Sequence, residues 1–209
     1  MTRKLPFMVS LSGPTGAGKS SLGNVLGQRT DLVFVPEPNP SLMLLQMLND
    51  NTARAVDVQN WIINERRRTV SQALATATAE QTIVVEREIF EDRDVFFQLH
   101  YKLRLIDGEE LKQLEDSADA FKKEIPEADL ILFLLADRAT LESRISKRPE
   151  SSWLIKNIEL QMELYKKYAS RLEKSARHVR FLNTSEQDVD DIIWHIDAAR
   201  VQPRGQTGR

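Results

Sequence analysis

Apolar residues gather into five short runs, and between the runs they recur at helical intervals. The runs are Phe7-Met8-Val9-Ser10-Leu11, Leu32-Val33-Phe34-Val35, Thr82-Ile83-Val84-Val85, residues 128–135 (Ala-Asp-Leu-Ile-Leu-Phe-Leu-Leu) and Val179-Arg180-Phe181-Leu182. Each has the length of a strand, and the most continuous read as strands covered on both faces, as in a parallel sheet. Helices are predicted over residues 19–28, with Leu22, Val25 and Leu26 on one side, and over 41–48, 53–80, 92–105 and 108–123. Further helices are predicted over 140–148, stopped by Pro149, over 153–175, and over 189–199, which buries Ile192, Ile193 and Ile196. Five strands alternating with helices predict a three-layer α/β fold with a five-stranded parallel sheet and helices on both faces. Right-handed crossovers put the carboxyl ends of the strands, and the charged residues that follow them, along one edge.

A chain of 209 residues suits one domain, here residues 1–200, with a frayed tail over 201–209. A net charge of −2 and a pI near 6 give no bulk attraction to nucleic acid or to a membrane surface. No run approaches the ~20 apolar residues of a membrane span, and the apolar run after Met1-Thr2-Arg3-Lys4 is too short for a signal peptide. The lack of cysteine excludes a disulfide, a thiolate metal site and a cysteine nucleophile, and fits a cytoplasmic protein. His100, His178 and His195 have no metal-ligand spacing and read as packing or surface residues.

The sharpest signal lies between the first run and the first helix. Gly13-Pro14-Thr15-Gly16-Ala17-Gly18-Lys19-Ser20, followed by Ser21, fits G-x-x-x-x-G-K-[ST] at the strand-to-helix junction where that motif works. Glycines let backbone N–H groups turn onto phosphate oxygens without a clashing Cβ, and the helix start adds a positive dipole end. Lys19 can reach the outer phosphates, and the Ser20 hydroxyl can ligate Mg²⁺.

Charged residues follow the second and third runs. Pro36 and Pro38 flank Glu37, so Glu37 is expected to be extended at the end of a strand, where open α/β sheets place their ligands. Glu86-Arg87 follow the third run, and the charges from Glu88 to Arg93 are expected to face the crevice above the sheet. Gln59 and Arg66, seven apart, share a helix face. Arg144 and Arg148 lie one turn apart on a basic helix end that is expected to form a lid, over about residues 144–152.

In this order, the phosphate loop, Glu37-Pro38, Gln59 with Arg66, Glu86-Arg87, Asp92 and the Arg144/Arg148 helix resemble the deoxynucleoside kinase family over about residues 7–188, with Asn39-Pro40 most like its bacterial branch. The resemblance implies a P-loop kinase fold with a short helical lid, ATP as phosphate donor with Mg²⁺, and transfer to the 5′-hydroxyl of a deoxynucleoside. Residue by residue it implies Glu37 as general base, Arg87 steadying the phosphoryl charge and holding Glu37, and Glu86 beside Ser20 at Mg²⁺. It implies Gln59 reading the base edge, Arg66 and Asp92 selecting the base, and Arg144 and Arg148 closing on the donor phosphates. The loop over residues 183–188 would pack near adenine. It further implies a homodimer through helices on one side of the sheet.

The sequence departs from the family at several points. Glu88 stands where the family usually has serine. Leu48 stands where its sugar-contacting tyrosine would be, and Glu150 is a substitute for a sugar-binding glutamate without a secure counterpart. Two other readings therefore stay open. One is a kinase acting on a nucleotide-level acceptor, either a deoxynucleoside monophosphate or a flipped hydroxymethylated pyrimidine in DNA, the only reading that needs DNA. The other is a nucleotide-binding regulatory protein with no acceptor chemistry.

Overall fold

The computed structural model describes residues 5–39, 54–147, 151–175, 177–184 and 188–201. The helix expected over 41–48 with Leu48, the residues Arg148 and Glu150, residues 185–187 of the adenine loop and the tail from 202 lie outside the described residues.

Five strands form one sheet in the order β2-β3-β1-β4-β5: β1 (Phe7–Ser12), β2 (Leu32–Val35), β3 (Thr82–Glu86), β4 (Leu130–Leu135) and β5 (Val179–Asn183). All four pairings are parallel, with Val9 of β1 opposite Val84 of β3 on one side and Leu130 of β4 on the other. The strand order explains the continuous apolar runs. β1, β3 and β4 are the three inner strands, and their side chains alternate between two covered faces.

On one face Val9, Leu11, Val84, Leu130, Leu132 and Leu134 pack with Leu22 and Leu26 of α1 (Lys19–Leu26) and with Ile192 and Ile196 of a C-terminal helix. On the other face Met8, Ile83 and Val85 pack with Ile63 and Val70 of α2 (Ala55–Thr76), and Ile131 and Phe133 pack with Tyr165 and Tyr168 of a later helix. The three-layer expectation holds, with helices on both faces. Val25, expected to be buried with Leu22 and Leu26, is instead 41% exposed.

The helices after β3 differ most from expectation. The region predicted as one helix over 92–105 starts earlier, as α3 (Ile89–Glu91), continues as π-helical turns over Asp92–Phe97 and ends as α4 (Gln98–Lys102). It stops where Arg104 takes a left-handed backbone, φ +56. α5 (Gly108–Glu124) matches its prediction and opens on a capping box: the Asp107 carboxylate accepts from the Glu109 and Glu110 N–H groups. α6 (Arg138–Ile145) starts two residues earlier than expected because Asp137 caps it, accepting from the Thr140 N–H at 2.8 Å.

The helix predicted over 153–175 is two helices, α7 (Ser151–Lys156) and α8 (Ile158–Glu173). The break is Asn157, whose side-chain amide donates to the Trp153 carbonyl and competes with the backbone ladder. α9 (Val189–Val201) closes the chain. His100 stacks on Trp153 at 6.1 Å, and burial lowers its pKa to about 4, as suits a neutral packing residue. Among the described residues no helix is long and apolar enough to cross a membrane.

Candidate active site

β1, at the centre of the sheet, hands the chain to a tight loop that runs into α1. Gly13 adopts φ +127, and a Cβ there would strike the Leu134 carbonyl on the adjacent strand, so glycine is dictated twice. Gly16 and Gly18 also take positive φ, and Gly18 is the left-handed N-cap of α1. The loop is braced from several sides. The Ala17 N–H donates to the Pro14 carbonyl (3.1 Å), and the Thr15 N–H donates to Gln161 Oε1 of α8 (3.3 Å). Lys19 is buried, and its Nζ donates to the carbonyls of Gly13 (2.6 Å) and Pro14 (3.0 Å). Burial, aided by the positive charge of Arg87, lowers the Lys19 pKa to about 8. Ser20 and Ser21 sit exposed in the first turn of α1.

The loop is joined to the ends of β2 and β3 by one carboxylate. Ser20 Oγ donates to Glu86 Oε1 (2.6 Å), and the Glu37 N–H donates to Glu86 Oε2 (3.4 Å). Arg87, next in the chain, is held at φ +62, a conformation that a bulky residue keeps only where its surroundings impose it. Its N–H donates to the Leu11 carbonyl (2.9 Å), and its guanidinium lies 4.0 Å over the Phe96 ring. Nη1 donates to Glu37 Oε1 (2.6 Å) and Nε to Glu91 Oε1 (3.0 Å). Burial works against its charge, but the carboxylates of Glu37 and Glu91 outweigh burial and hold the guanidinium above its ordinary pKa.

A second buried pair stands behind the first. Arg66 Nε donates to Asp92 Oδ2 (3.0 Å), while Nη1 donates to the backbone carbonyls of Glu86 (2.9 Å) and Arg87. Burial raises the Asp92 pKa to about 6, against the opposing pull of Arg66 and Arg87.

A cavity of about 480 Å³ unites most of the predicted residues. Its walls include Thr15, Gly16, Gly18, Lys19 and Ser20 on the loop side, Glu37, Glu86 and Arg87 at the strand ends, and Gln59, Ile62, Asp92, Phe96 and Leu154 at the far end. One end thus carries backbone amides, a lysine and a hydroxyl, and the other carries apolar side chains with an amide and a carboxylate. Gly13 and Ala17 form the loop without lining the cavity.

Arg66 does not line the cavity either; it is almost wholly buried and acts on the site through Asp92 and two carbonyls. Arg144 sits beside the loop, where Nη1 donates to the carbonyl of Gly16 and to Thr184 Oγ1, both at 3.2 Å. Glu88, expected at the crevice, turns away from it and forms a two-point pair with Arg177, with Tyr168 OH also donating to it. The charges after β3 therefore split: Arg87 and Asp92 face the site, and Glu88 serves the packing of α8.

Sequence reasoning missed Phe96, Leu154, Gln161 and Tyr165; Glu91, expected at the crevice among the charges after β3, is instead buried behind Arg87. Gln161 and Tyr165 come from a helix more than sixty residues away in sequence, and no local pattern announces them. Among the described residues no cluster of three His, Cys, Asp or Glu side chains is placed to hold a metal.

Comparison with known proteins identifies the family and the fold. The sequence profile of the family described as deoxynucleoside kinase matches residues 9–199. A deoxyadenosine kinase of Lactobacillus acidophilus is 28% identical over 150 residues, covering 69% of this chain and 67% of that protein. A deoxyguanosine kinase of Lactobacillus johnsonii is 29% identical over 149 residues, covering 68% of this chain and 63% of that protein. Deoxyadenosine kinase from M. mycoides with bound dATP superimposes with a TM-score of 0.72 at 21% identity, covering 93% of this chain and 99% of the other. The same kinase with products dCMP and a flexible dCDP superimposes with a TM-score of 0.70 at 22% identity, covering 92% and 97%. The profile match takes in β1 from Val9, the other four strands whole, the loop at Lys19 from its first residue and both strand-end carboxylates, so the chain belongs to the deoxynucleoside kinase family.

Proposed function

We propose that this protein transfers the γ-phosphoryl group of ATP to the 5′-hydroxyl of a deoxynucleoside. The observation that carries the reading is the Glu37–Arg87 pair, set across one cavity from the phosphate loop at Lys19. The bond between the γ-phosphorus and the β,γ-bridging oxygen breaks, a bond from the 5′-oxygen forms, and ADP leaves. The hydroxyl proton passes to the Glu37 carboxylate. Such a reaction needs positioning and charge neutralisation more than covalent help from the protein. Lys19 and Arg87 supply positive charge, and amides of the loop at Gly16 and Gly18 would face the phosphates.

Ser20 and Glu86 place two oxygens 2.6 Å apart. A two-donor site suits Mg²⁺, which keeps most of its shell for water and phosphate oxygens. When bound there, Mg²⁺ would neutralise charge on the donor phosphates. Gln59 would read the base edge, Asp92, held by Arg66, would select the base, and Phe96 would cover its ring. Arg144 would stay with the donor side of the loop, and Arg148 would join it in closing on the donor phosphates. A homodimer through the α2 side of the sheet, where Trp61 is 39% exposed, and a cytoplasmic location complete the reading.

Radiolabelled ATP offered with the four deoxynucleosides, their monophosphates, and plain or hydroxymethylated DNA tests it. Label on a nucleoside is expected. Label only on monophosphate or polymer would replace the acceptor, and free phosphate alone would remove acceptor chemistry altogether. Light scattering after size exclusion reports the dimer.

A further inference from the structure

We propose that Glu91 is a positioning residue for phosphoryl transfer, fixing which edge of the Arg87 guanidinium meets the transferring group. The inference rests on the role proposed for Arg87. Glu91 has no exposed surface, and three donors converge on it: Arg87 Nε at 3.0 Å, Tyr165 OH at 2.6 Å and Ser12 Oγ. A buried carboxylate is costly to desolvate, and an apolar residue would fill the same space at less cost. Its value lies in direction.

With Nε tied to Glu91 and Nη1 tied to Glu37, the guanidinium plane cannot turn without breaking one of the two bonds. Phe96 beneath the plane blocks the remaining tilt. The other donors to Glu91 come from the elements that carry the phosphate loop. Ser12 ends β1 just before Gly13, and α8 supplies both Tyr165 to Glu91 and Gln161 to the Thr15 N–H. Glu91 therefore references Arg87 to the donor site as well as to Glu37.

Steady-state kinetics on Glu91→Gln, Tyr165→Phe and Arg87→Lys test this, with thermal unfolding to confirm folding. For Glu91→Gln, which keeps side-chain volume, kcat is expected to fall roughly tenfold or more, since small misplacements of a catalytic group cost that much. KM for ATP and for the deoxynucleoside is expected to stay within about threefold, the signature of an interaction made in the transition state. Tyr165→Phe, which removes one hydroxyl, is expected to lower kcat about threefold with the same split. A folded Glu91→Gln protein with wild-type kcat overturns the proposal, as does a loss carried by KM alone. Should Glu91→Gln fail to fold, wild-type kcat in Tyr165→Phe overturns it. Arg87→Lys separates the two levels: loss there without loss in Glu91→Gln refutes the positioning role alone, whereas wild-type kcat in Arg87→Lys refutes the reading of Arg87 and this inference with it.

Discussion

Arg87 Nη1 lies 2.6 Å from Glu37 Oε1, a contact between residues fifty apart in sequence that follow neighbouring parallel strands. The pair sets the arginine charge beside the carboxylate proposed to take the acceptor proton. Replacing Glu37 by Gln keeps the shape and a hydrogen-bond acceptor for Arg87 but removes the base. kcat should fall on the order of 10²–10⁴-fold, the range for a general base. ATP affinity, measured by calorimetry, should change little because the phosphate loop is untouched. An unchanged kcat would remove Glu37 from the mechanism.

The bond from Ser20 Oγ to Glu86 Oε1 leads to a prediction about metal dependence. Ser20→Ala removes one of the two oxygens proposed to face Mg²⁺, and Glu86→Gln replaces the other, charged one by a neutral amide. Each variant should need more free Mg²⁺ for half-maximal rate at fixed ATP, by roughly 10–100-fold if the residue is a ligand or orients one. A Mg²⁺ titration identical to wild type in both variants would place the metal elsewhere.

Lys19 leads to a prediction about protons. Burial and Arg87 hold its pKa near 8, so at pH 8 about half of the free protein carries a neutral Lys19. ATP phosphates beside Nζ favour the charged form, so binding must be accompanied by proton uptake. Calorimetry at pH 8 in buffers of different ionisation enthalpy should show uptake of about half a proton, falling toward zero at pH 6.5. Stability follows the same sign. The folded pKa lies below the ordinary 10.5, so the unfolded chain binds more protons between pH 8 and 10.5, and the Lys19 contribution to stability rises across that window.

The sheet was legible because its inner strands are covered on both faces, which leaves continuous apolar runs that no surface strand shows. The phosphate loop was legible because close backbone approach at Gly13 admits no other residue. Helix boundaries were less so. The start of α6 turned on Asp137 as a cap, and the break before α8 on the Asn157 side chain, each a single hydrogen bond that periodicity does not register. At the site, Glu37 and Arg87 came with strand-end positions, which topology fixes, and Asp92 came with the family resemblance. Glu88 and Glu91 were not separable in sequence. Both are glutamates just past β3, but Glu88 is the extended N-cap of α3 and Glu91 lies in its turn, and the tyrosines of α8 meet them separately, so one pairs with Arg177 and the other with Arg87.

The Arg66–Asp92 pair is where stability and specificity meet. Arg66 donates to the Asp92 carboxylate and to the carbonyls of Glu86 and Arg87, so Arg66→Met leaves an uncompensated buried carboxylate and two weakened acceptors. At pH 7.5 that change should cost about 3–5 kcal/mol in denaturant unfolding. Asp92 carries a pKa raised by burial from 3.8 to about 6, so the folded state binds more protons than the unfolded chain in that interval. The Asp92 contribution to stability is complete below pH 3.8 and is lost as pH rises through 6. Two consequences follow. The cost of Arg66→Met should shrink at pH 5, where Asp92 is mostly neutral, and the double variant Arg66→Met/Asp92→Leu should be more stable at pH 7.5 than Arg66→Met alone, because the orphaned charge is gone. The double variant should still phosphorylate its deoxynucleosides with blunted preference among bases, since Gln59 remains while the carboxylate proposed to distinguish them is absent. A double variant with undiminished base preference would show that Asp92 stabilises the pocket wall without reading the base.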